Sequence, residues 1–255
     1  MKDERKASVI HTFSKHADAY VHSETHSKGE DLPIMKEKLQ LKKDDIALDI
    51  ATGGGHVAKQ LAPHVHTVFA TDLTKKMLQN TSGYLTDYSN IHYVVADAEE
   101  LPFLDDSFDV VTCRIAPHHF PHPERFIEEV ARVLKPGGRF AMIDNIAPEN
   151  EQLAEFYNSL EKMRDESHVR ALRISEWEAL LAKNNLSIYH KSLRKKTLPY
   201  ENWVTRTLDD AEEIEKVRNH LVSANEDTKT HFQIKEESGK IESFAIDEWM
   251  VLSRK

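Results

Sequence analysis

Between residues 46 and 147, short runs of apolar and β-branched residues alternate with stretches whose apolar positions recur every three or four residues. This rhythm predicts βα units feeding a parallel sheet. Five strands are expected: Ile46 to Ala51, Thr67 to Leu73, Ile91 to Ala96, Phe108 to Ile115 and Arg139 to Ile146. Each has the length of a buried strand. Thr74 stands where a helix cap belongs, ahead of Met77 and Leu78. A second helix opens at Pro123 and carries Phe126, Ile127, Val130, Val133 and Leu134 on one face. Pro136-Gly137-Gly138 should stop it and return the chain sharply into the fifth strand.

The flanks read differently. Residues 1–45 and 148–255 are richer in helical pattern and polar residues, which suggests a helical cover, an α/β core over 46–147, and C-terminal helices with the last strands. Leu153, Phe156, Tyr157, Leu160 and Met163 form one apolar stripe. Ser175-Glu176-Trp177-Glu178 has the capping-box pattern of another helix. Leu186 to Leu198 reads as a sixth strand, Tyr200 to Leu221 as helical, and the chain closes in a hairpin about Ser238-Gly239.

Composition narrows the function classes. With 40% hydrophobic and 30% charged residues, the 255-residue chain falls in the ordinary globular range. A net charge of −9 disfavours nucleic acid and other polyanionic partners. No apolar run reaches the ~18 residues of a membrane span, and the charged N-terminus lacks a secretory signal, so a cytoplasmic protein is expected. The lone Cys113 excludes an internal disulfide or a CxxC motif and should be a small buried residue.

Candidate chemistry starts at Asp49-Ile50-Ala51-Thr52-Gly53-Gly54-Gly55, between the first strand and a helix. Consecutive glycines let a chain turn tightly and let a ligand approach its backbone, and open α/β sheets bind ligands at the carboxyl ends of their strands. The dinucleotide pattern GxGxxG would need glycine at 51, 53 and 56, where the chain has Ala51, Gly53 and His56. An acid followed by GxGxG is matched at Asp49, Gly53 and Gly55, with Ala51 in the first glycine position. Asp72, closing the second strand, can accept hydrogen bonds from both hydroxyls of a ribose. It supports an adenosine ligand without choosing the cofactor.

With Asp97-Ala98-Glu99-Glu100-Leu101-Pro102-Phe103 and Leu134-Lys135-Pro136-Gly137-Gly138-Arg139, these segments give Ile46 to Ile146 a resemblance to class I S-adenosylmethionine-dependent methyltransferases. The chain is most similar to the ubiquinone/menaquinone-biosynthesis methyltransferases and their uncharacterised relatives. The resemblance implies a doubly wound α/β fold with a mostly parallel seven-stranded sheet, and S-adenosyl-L-methionine as cofactor. It implies cofactor contacts at Asp49, Ala51, Gly53, Gly55, Asp72, Leu73 and Met77. Asp97 would receive the adenine amino group, the Ala98 amide would meet the ring, and the backbone near Arg114 would face the methionine part. Tyr20, behind Phe13 and Ala17, would come near the sulfonium from a closing N-terminal segment.

At the end of the fourth strand the quinone enzymes carry Gly-x-Arg-Asn, whereas this chain has Cys113-Arg114-Ile115-Ala116, which puts a quinone acceptor in doubt. His118 and His119 follow and are the candidate bases for an acceptor that carries a proton. The chain holds 15 histidines, yet it has no HExxH, no cysteine partner and no carboxylate at zinc-ligand spacing, so no metal is expected. The reading is methyl transfer to a small-molecule acceptor by in-line displacement. An NAD(P)-dependent oxidoreductase and a non-catalytic protein of the same fold are its alternatives.

Overall fold

The computed structural model describes residues 4–21, 29–237 and 240–255, with side chains for all of these except 15–21. Eight strands form one sheet: β1 (Ile46–Ile50), β2 (Thr67–Asp72), β3 (Ile91–Val95), β4 (Phe108–Arg114), β5 (Leu134–Ile146), β6 (Ser187–Pro199), β7 (Lys235–Glu237) and β8 (Lys240–Arg254). Seven run side by side in the order β3-β2-β1-β4-β5-β8-β6, and β7 pairs only with β8. The first five are parallel. β8 enters antiparallel between β5 and β6. Strand order reverses about β1, whose neighbours are β2 and β4, and this opens a crevice at their carboxyl ends.

Alternation along the strands creates two apolar faces. Leu48, Val111, Met142 and Val251 pack on one side under Phe126, Ile127 and Val130 of α5 (Pro123–Val133) and Trp177 and Leu181 of α7 (Ile174–Lys183). Ala47, Val110, Ile143 and Met250 face the other side. There they meet α2 (Asp31–Leu39) through Leu32, Met35 and Leu39, and α3 (His56–Leu61) through Val57, Ala58 and Leu61. A third core joins α6 (Glu151–Arg164), α8 (Tyr200–Val204) and α9 (Ala211–Val222) to Phe244 and Ile246 of β8. The remaining helices are α1 (Glu4–Val21), which lies against α4 (Lys75–Tyr84), and α10 (Glu226–His231).

Cys113 is buried, as its type suggests. Several local expectations shift. Thr74 sits at the N-cap of α4 without a side-chain cap bond; Asp72 Oδ1 takes its backbone N–H instead, at 2.8 Å. The capping box of α7 lies two residues early, with Arg173 at the N-cap and its N–H donated to Glu176 at 3.0 Å. Ser175 is drawn away because its N–H and hydroxyl both bind Glu149. Lys135-Pro136-Gly137-Gly138 belongs to β5 rather than preceding it, since Gly137 and Gly138 exchange backbone bonds with Lys255. The helical stretch after Tyr200 is broken between α8 and α9, where Asp210 caps α9 with bonds to Glu212 and Glu213. Of the closing hairpin, β7 is three residues long and begins only at Lys235, because Phe232 and Gln233 finish α10 and Gln233 takes φ 48°; its turn lies outside the described residues.

Candidate active site

A cavity of about 1030 Å³, counting its open mouth, occupies the crevice where strand order reverses. Its floor is the loop after β1. Gly53 takes φ 53° and Ala51 takes φ 51°, so the alanine stands in a left-handed conformation that glycine would enter freely. Asp49 organises this loop from below by accepting from Thr52 Oγ1 at 2.6 Å and Thr112 Oγ1 at 2.8 Å. Thr81 of α4 holds the Gly53 carbonyl at 2.6 Å. Gly55 does not line the cavity. It begins α3 at φ 76°, and a Cβ there would stand 2.4 Å from Thr81 Cγ2 and 2.7 Å from Leu85 Cδ1. Its lack of a side chain serves helix packing.

Asp72 forms the next wall. Its Oδ2 accepts the Gly53 N–H at 3.1 Å, which ties the ends of β1 and β2 together. Burial raises the carboxyl pKa to about 6, against the opposing pull of the Thr74 and Gly53 amides. Asp49 is likewise raised to about 6 by burial, which its two threonine hydroxyls only partly offset. Leu73, Met77, Asp97 and Ala98 complete this side. Arg114 lines the opposite wall and grips buried Asp31 of α2 through Nε at 2.5 Å and Nη2 at 3.1 Å. Burial alone would raise the Asp31 pKa, yet the guanidinium's hydrogen bonds and charge hold it below the ordinary value.

Helix α1 roofs the cavity with Lys6, Val9 and Phe13. Lys6 Nζ reaches Asp97 Oδ2 at 2.6 Å and Glu99 Oε2 at 2.5 Å. No sequence signal marks Lys6 for this. Tyr20 lies in α1, but its side chain is outside the described residues.

Beyond Phe13, Ile115 and His119 lies a second cavity of about 590 Å³, whose lining shares these three residues with the first. Ile115 takes φ 52°, a left-handed conformation that costs a β-branched residue roughly 1–3 kcal/mol. Phe13 meets the His119 ring edge to face, with centroids 5.1 Å apart.

The paired histidines have opposite surroundings. His118 lines only the second cavity and puts Nδ1 2.6 Å from Asp144 Oδ1, while its backbone N–H reaches Asp144 Oδ2 at 2.9 Å. A carboxylate can only accept, so the proton sits on Nδ1 and Nε2 is left basic. Burial pulls the His118 pKa down, but the charge and hydrogen bond of Asp144 outweigh it and raise the pKa above the ordinary value. His119 Nδ1 lies 3.0 Å from the Ser167 carbonyl. Burial, then the neighbouring His118 ring, lowers its pKa to about 3. With centroids 4.2 Å apart, the pair combines an imidazole that takes a proton readily with one that stays neutral.

Asp144 was not singled out by sequence, although Ile143-Asp144-Asn145 puts polar residues at the carboxyl end of an otherwise apolar strand. Glu161, Arg164, Asp165 and Arg206 around the second cavity gave no local signal either, and Lys196 belongs to the basic run Arg194-Lys195-Lys196, which reads as a solvated strand end; α6, β6 and the α8–α9 connection bring them together.

This combination of sheet order, glycine turn and terminal strand acids defines the class I methyltransferase architecture. The methyltransferase-domain family model matches residues 48–142. The uncharacterised methyltransferase YcgJ of Bacillus subtilis is 38% identical over 226 residues, covering 87% of this chain and 88% of that protein. A crystal structure of a candidate methyltransferase from Bacillus halodurans superposes with TM-score 0.87 at 38% identity, covering 89% of this chain and 99% of the other. The ubiquinone/menaquinone biosynthesis C-methyltransferase UbiE of Rickettsia typhi is 34% identical over 119 residues, covering 43% of this chain and 48% of that enzyme. The chain belongs to the class I S-adenosylmethionine-dependent methyltransferase family. Among its described residues no helix is long and apolar enough to cross a membrane.

Proposed function

We propose that the first cavity holds S-adenosylmethionine, that the second holds a small-molecule acceptor, and that His118 removes the acceptor's proton as the methyl group crosses between Phe13, Ile115 and His119. The carrying observation is the direct abutment of two cavities of unlike lining, with the Asp144–His118 pair on the acceptor side. When bound, the cofactor supplies an electrophilic methyl group on a sulfonium that departs as a neutral thioether. Asp72 would accept from the ribose hydroxyls, and the backbone of Ala51 and Gly53 leaves room for close approach. Leu73 and Met77 give the adenosine an apolar wall. Asp97 would take the adenine amino group, a donor that replaces or joins Lys6 on that carboxylate, and the Ala98 amide would meet the ring. Arg114 marks the methionine end.

On the acceptor side, His118 Nε2 takes the proton and Asp144 stabilises the resulting cation, so Asp144 is a positioning residue. With the cofactor bound, the walls of the two cavities would hold the acceptor's lone pair in line with the methyl carbon, and the carbon–sulfur bonding pair would return to sulfur. Positioning supplies most of the rate. Eight residues lining the second cavity come from 148–255 and Phe13 comes from 1–45, beside Ile115, His118, His119 and Asn145 of the core, which supports reading the flanking regions as cover and substrate-binding appendages to the core over 46–147. Calorimetric titration with S-adenosylhomocysteine and with NAD tests the cofactor assignment: saturable binding of the first alone is expected. Binding of NAD alone would favour the oxidoreductase reading, and cofactor binding without turnover across broad acceptors would favour a non-catalytic protein.

A further inference from the structure

One face of α1 closes the first cavity. Lys6, Val9 and Phe13, three and four residues apart, share it. The face runs about 10 Å along the helix, from Lys6 beside Asp97 to Phe13 beside His119. Val9 and Phe13 suit an apolar roof, whereas Lys6 brings a charge to it. Its two partners are unequal. Asp97 Oδ2, at 2.6 Å, belongs to a part-exposed carboxylate, but Glu99 Oε2, at 2.5 Å, belongs to a side chain only 2% exposed. Glu99 Oε1 is spent on the His122 N–H at 2.7 Å. Oε2 is buried and has Lys6 as its counter-ion. Burial works against the charge on Lys6, yet the hydrogen bonds and charges of both acids outweigh it and raise the lysine pKa. An ammonium has three N–H donors. Asp97 and Glu99 take two, and the third is left at the end of the cavity that Asp97 lines.

We propose that Lys6 reads the adenine of the cofactor, donating its third N–H to ring nitrogen N7 while Asp97 accepts from the adjacent amino group. This rests on the first cavity being the S-adenosylmethionine site. Adenine carries an acceptor nitrogen on either side of its amino group, N1 and N7. With the Ala98 amide at N1, N7 is the acceptor left for a donor seated on Asp97. A bond from an ammonium is charge-assisted, and in a partly desolvated wall such bonds are strong. The opposite arrangement makes Lys6 a plug that adenine must push off Asp97. Glu99 argues against it, because withdrawing the ammonium would strand a buried carboxylate. The amino group therefore joins Lys6 on Asp97 rather than replacing it. Lys6 also precedes the stretch 48–142 that matches the methyltransferase-domain model, so this contact belongs to the chain's own flank and not to the shared core. Because the reader stands on α1, recognition of adenine and closure of the roof become one event.

The test titrates the full chain calorimetrically with S-adenosylhomocysteine and with its 7-deaza analogue, in which C–H replaces N7 and the amino group is kept. Wild type should bind the parent about tenfold or more tightly than the analogue. In Lys6→Met that preference should shrink to within about twofold, with the parent weakened and the analogue little changed. Lys6→Met also strands Glu99, so the double variant Lys6→Met/Glu99→Gln, which removes that charge and keeps an acceptor for the His122 N–H, should show the same loss of preference. The proposal is overturned if wild type binds both ligands alike or if the preference survives in the variants. It is equally overturned if Lys6→Met binds the parent more tightly than wild type, which would make the lysine a plug. Failure of the wild-type chain to bind S-adenosylhomocysteine at all would instead strike at the cofactor site, so the two failures are distinguishable.

Discussion

Lowering the pH from 7.5 to 5 should weaken S-adenosylhomocysteine binding about tenfold, and Asp72 should be the cause. Burial places this carboxyl's pKa at about 6 in the ligand-free protein. Two ribose hydroxyls donate best to an ionised acceptor, so binding selects the charged form. One unit below the pKa only about a tenth of the molecules carry that form, a penalty of about 1.4 kcal/mol. At pH 7.5 the penalty has almost disappeared. Titration calorimetry across this range with wild type and Asp72→Asn measures the effect, and the variant should bind weakly with no comparable pH slope. Asp49, also near 6, remains in both proteins and cancels in the comparison. A flat wild-type profile, or the same slope in Asp72→Asn, refutes the reasoning. The stability linkage has the opposite sense. A carboxyl whose folded pKa is raised favours folding below its unfolded value of 3.8, and that contribution is lost as pH rises through about 6. Each acid then costs the ligand-free protein on the order of 3 kcal/mol.

Replacing His118 with Ala, or Asp144 with Asn, should reduce methyl transfer by about 10²-fold to 10⁴-fold with little change in S-adenosylhomocysteine affinity, as single-turnover assays with a methyl acceptor and calorimetry would reveal. His119→Ala should act chiefly on the melting temperature, because its neutral ring packs between Phe13 and the Ser167 carbonyl; full turnover in His118→Ala would remove the base assignment. Gly55→Ala should cost about 1–3 kcal/mol in denaturant unfolding, since it adds a Cβ at positive φ against Thr81 and Leu85. Residues 4–14 should gain hydrogen-exchange protection when S-adenosylhomocysteine binds, and equal protection in both states would rule out α1 as a ligand-dependent cover.

Periodicity made the core legible. β1 to β4 end within a residue of expectation because buried parallel strands are short apolar runs that need no distant partner to be seen. The lining of the first cavity was legible for a related reason: Ala51, Gly53, Asp72, Leu73, Asp97 and Ala98 sit at strand ends or in the loops just after them, and Met77 in the first turn of the helix that follows β2, where chain order dictates proximity. Gly55 shows the limit, since a glycine flanked by the cavity-lining Gly54 and His56 answers to helix packing instead. The second cavity was illegible because its charged residues come from elements far apart in sequence. His118 and His119 are indistinguishable as letters. Asp144 behind one raises its proton affinity, whereas burial and the neighbouring His118 ring lower that of the other.

The insertion of β8 between β5 and β6 governs how the chain can be made. Arg139 of β5 pairs with Arg254 of β8, so the apolar edge of β5 has no partner until nearly the whole described chain has emerged from the ribosome. At ordinary synthesis rates that wait is on the order of five to twenty seconds. During it an edge that includes Phe140, Ala141 and Met142 is open to any strand nearby. A nascent chain halted before residue 240 would have its ligand-binding loops already made and its sheet unsealed, a species for chaperones to hold and a source of aggregates when they do not.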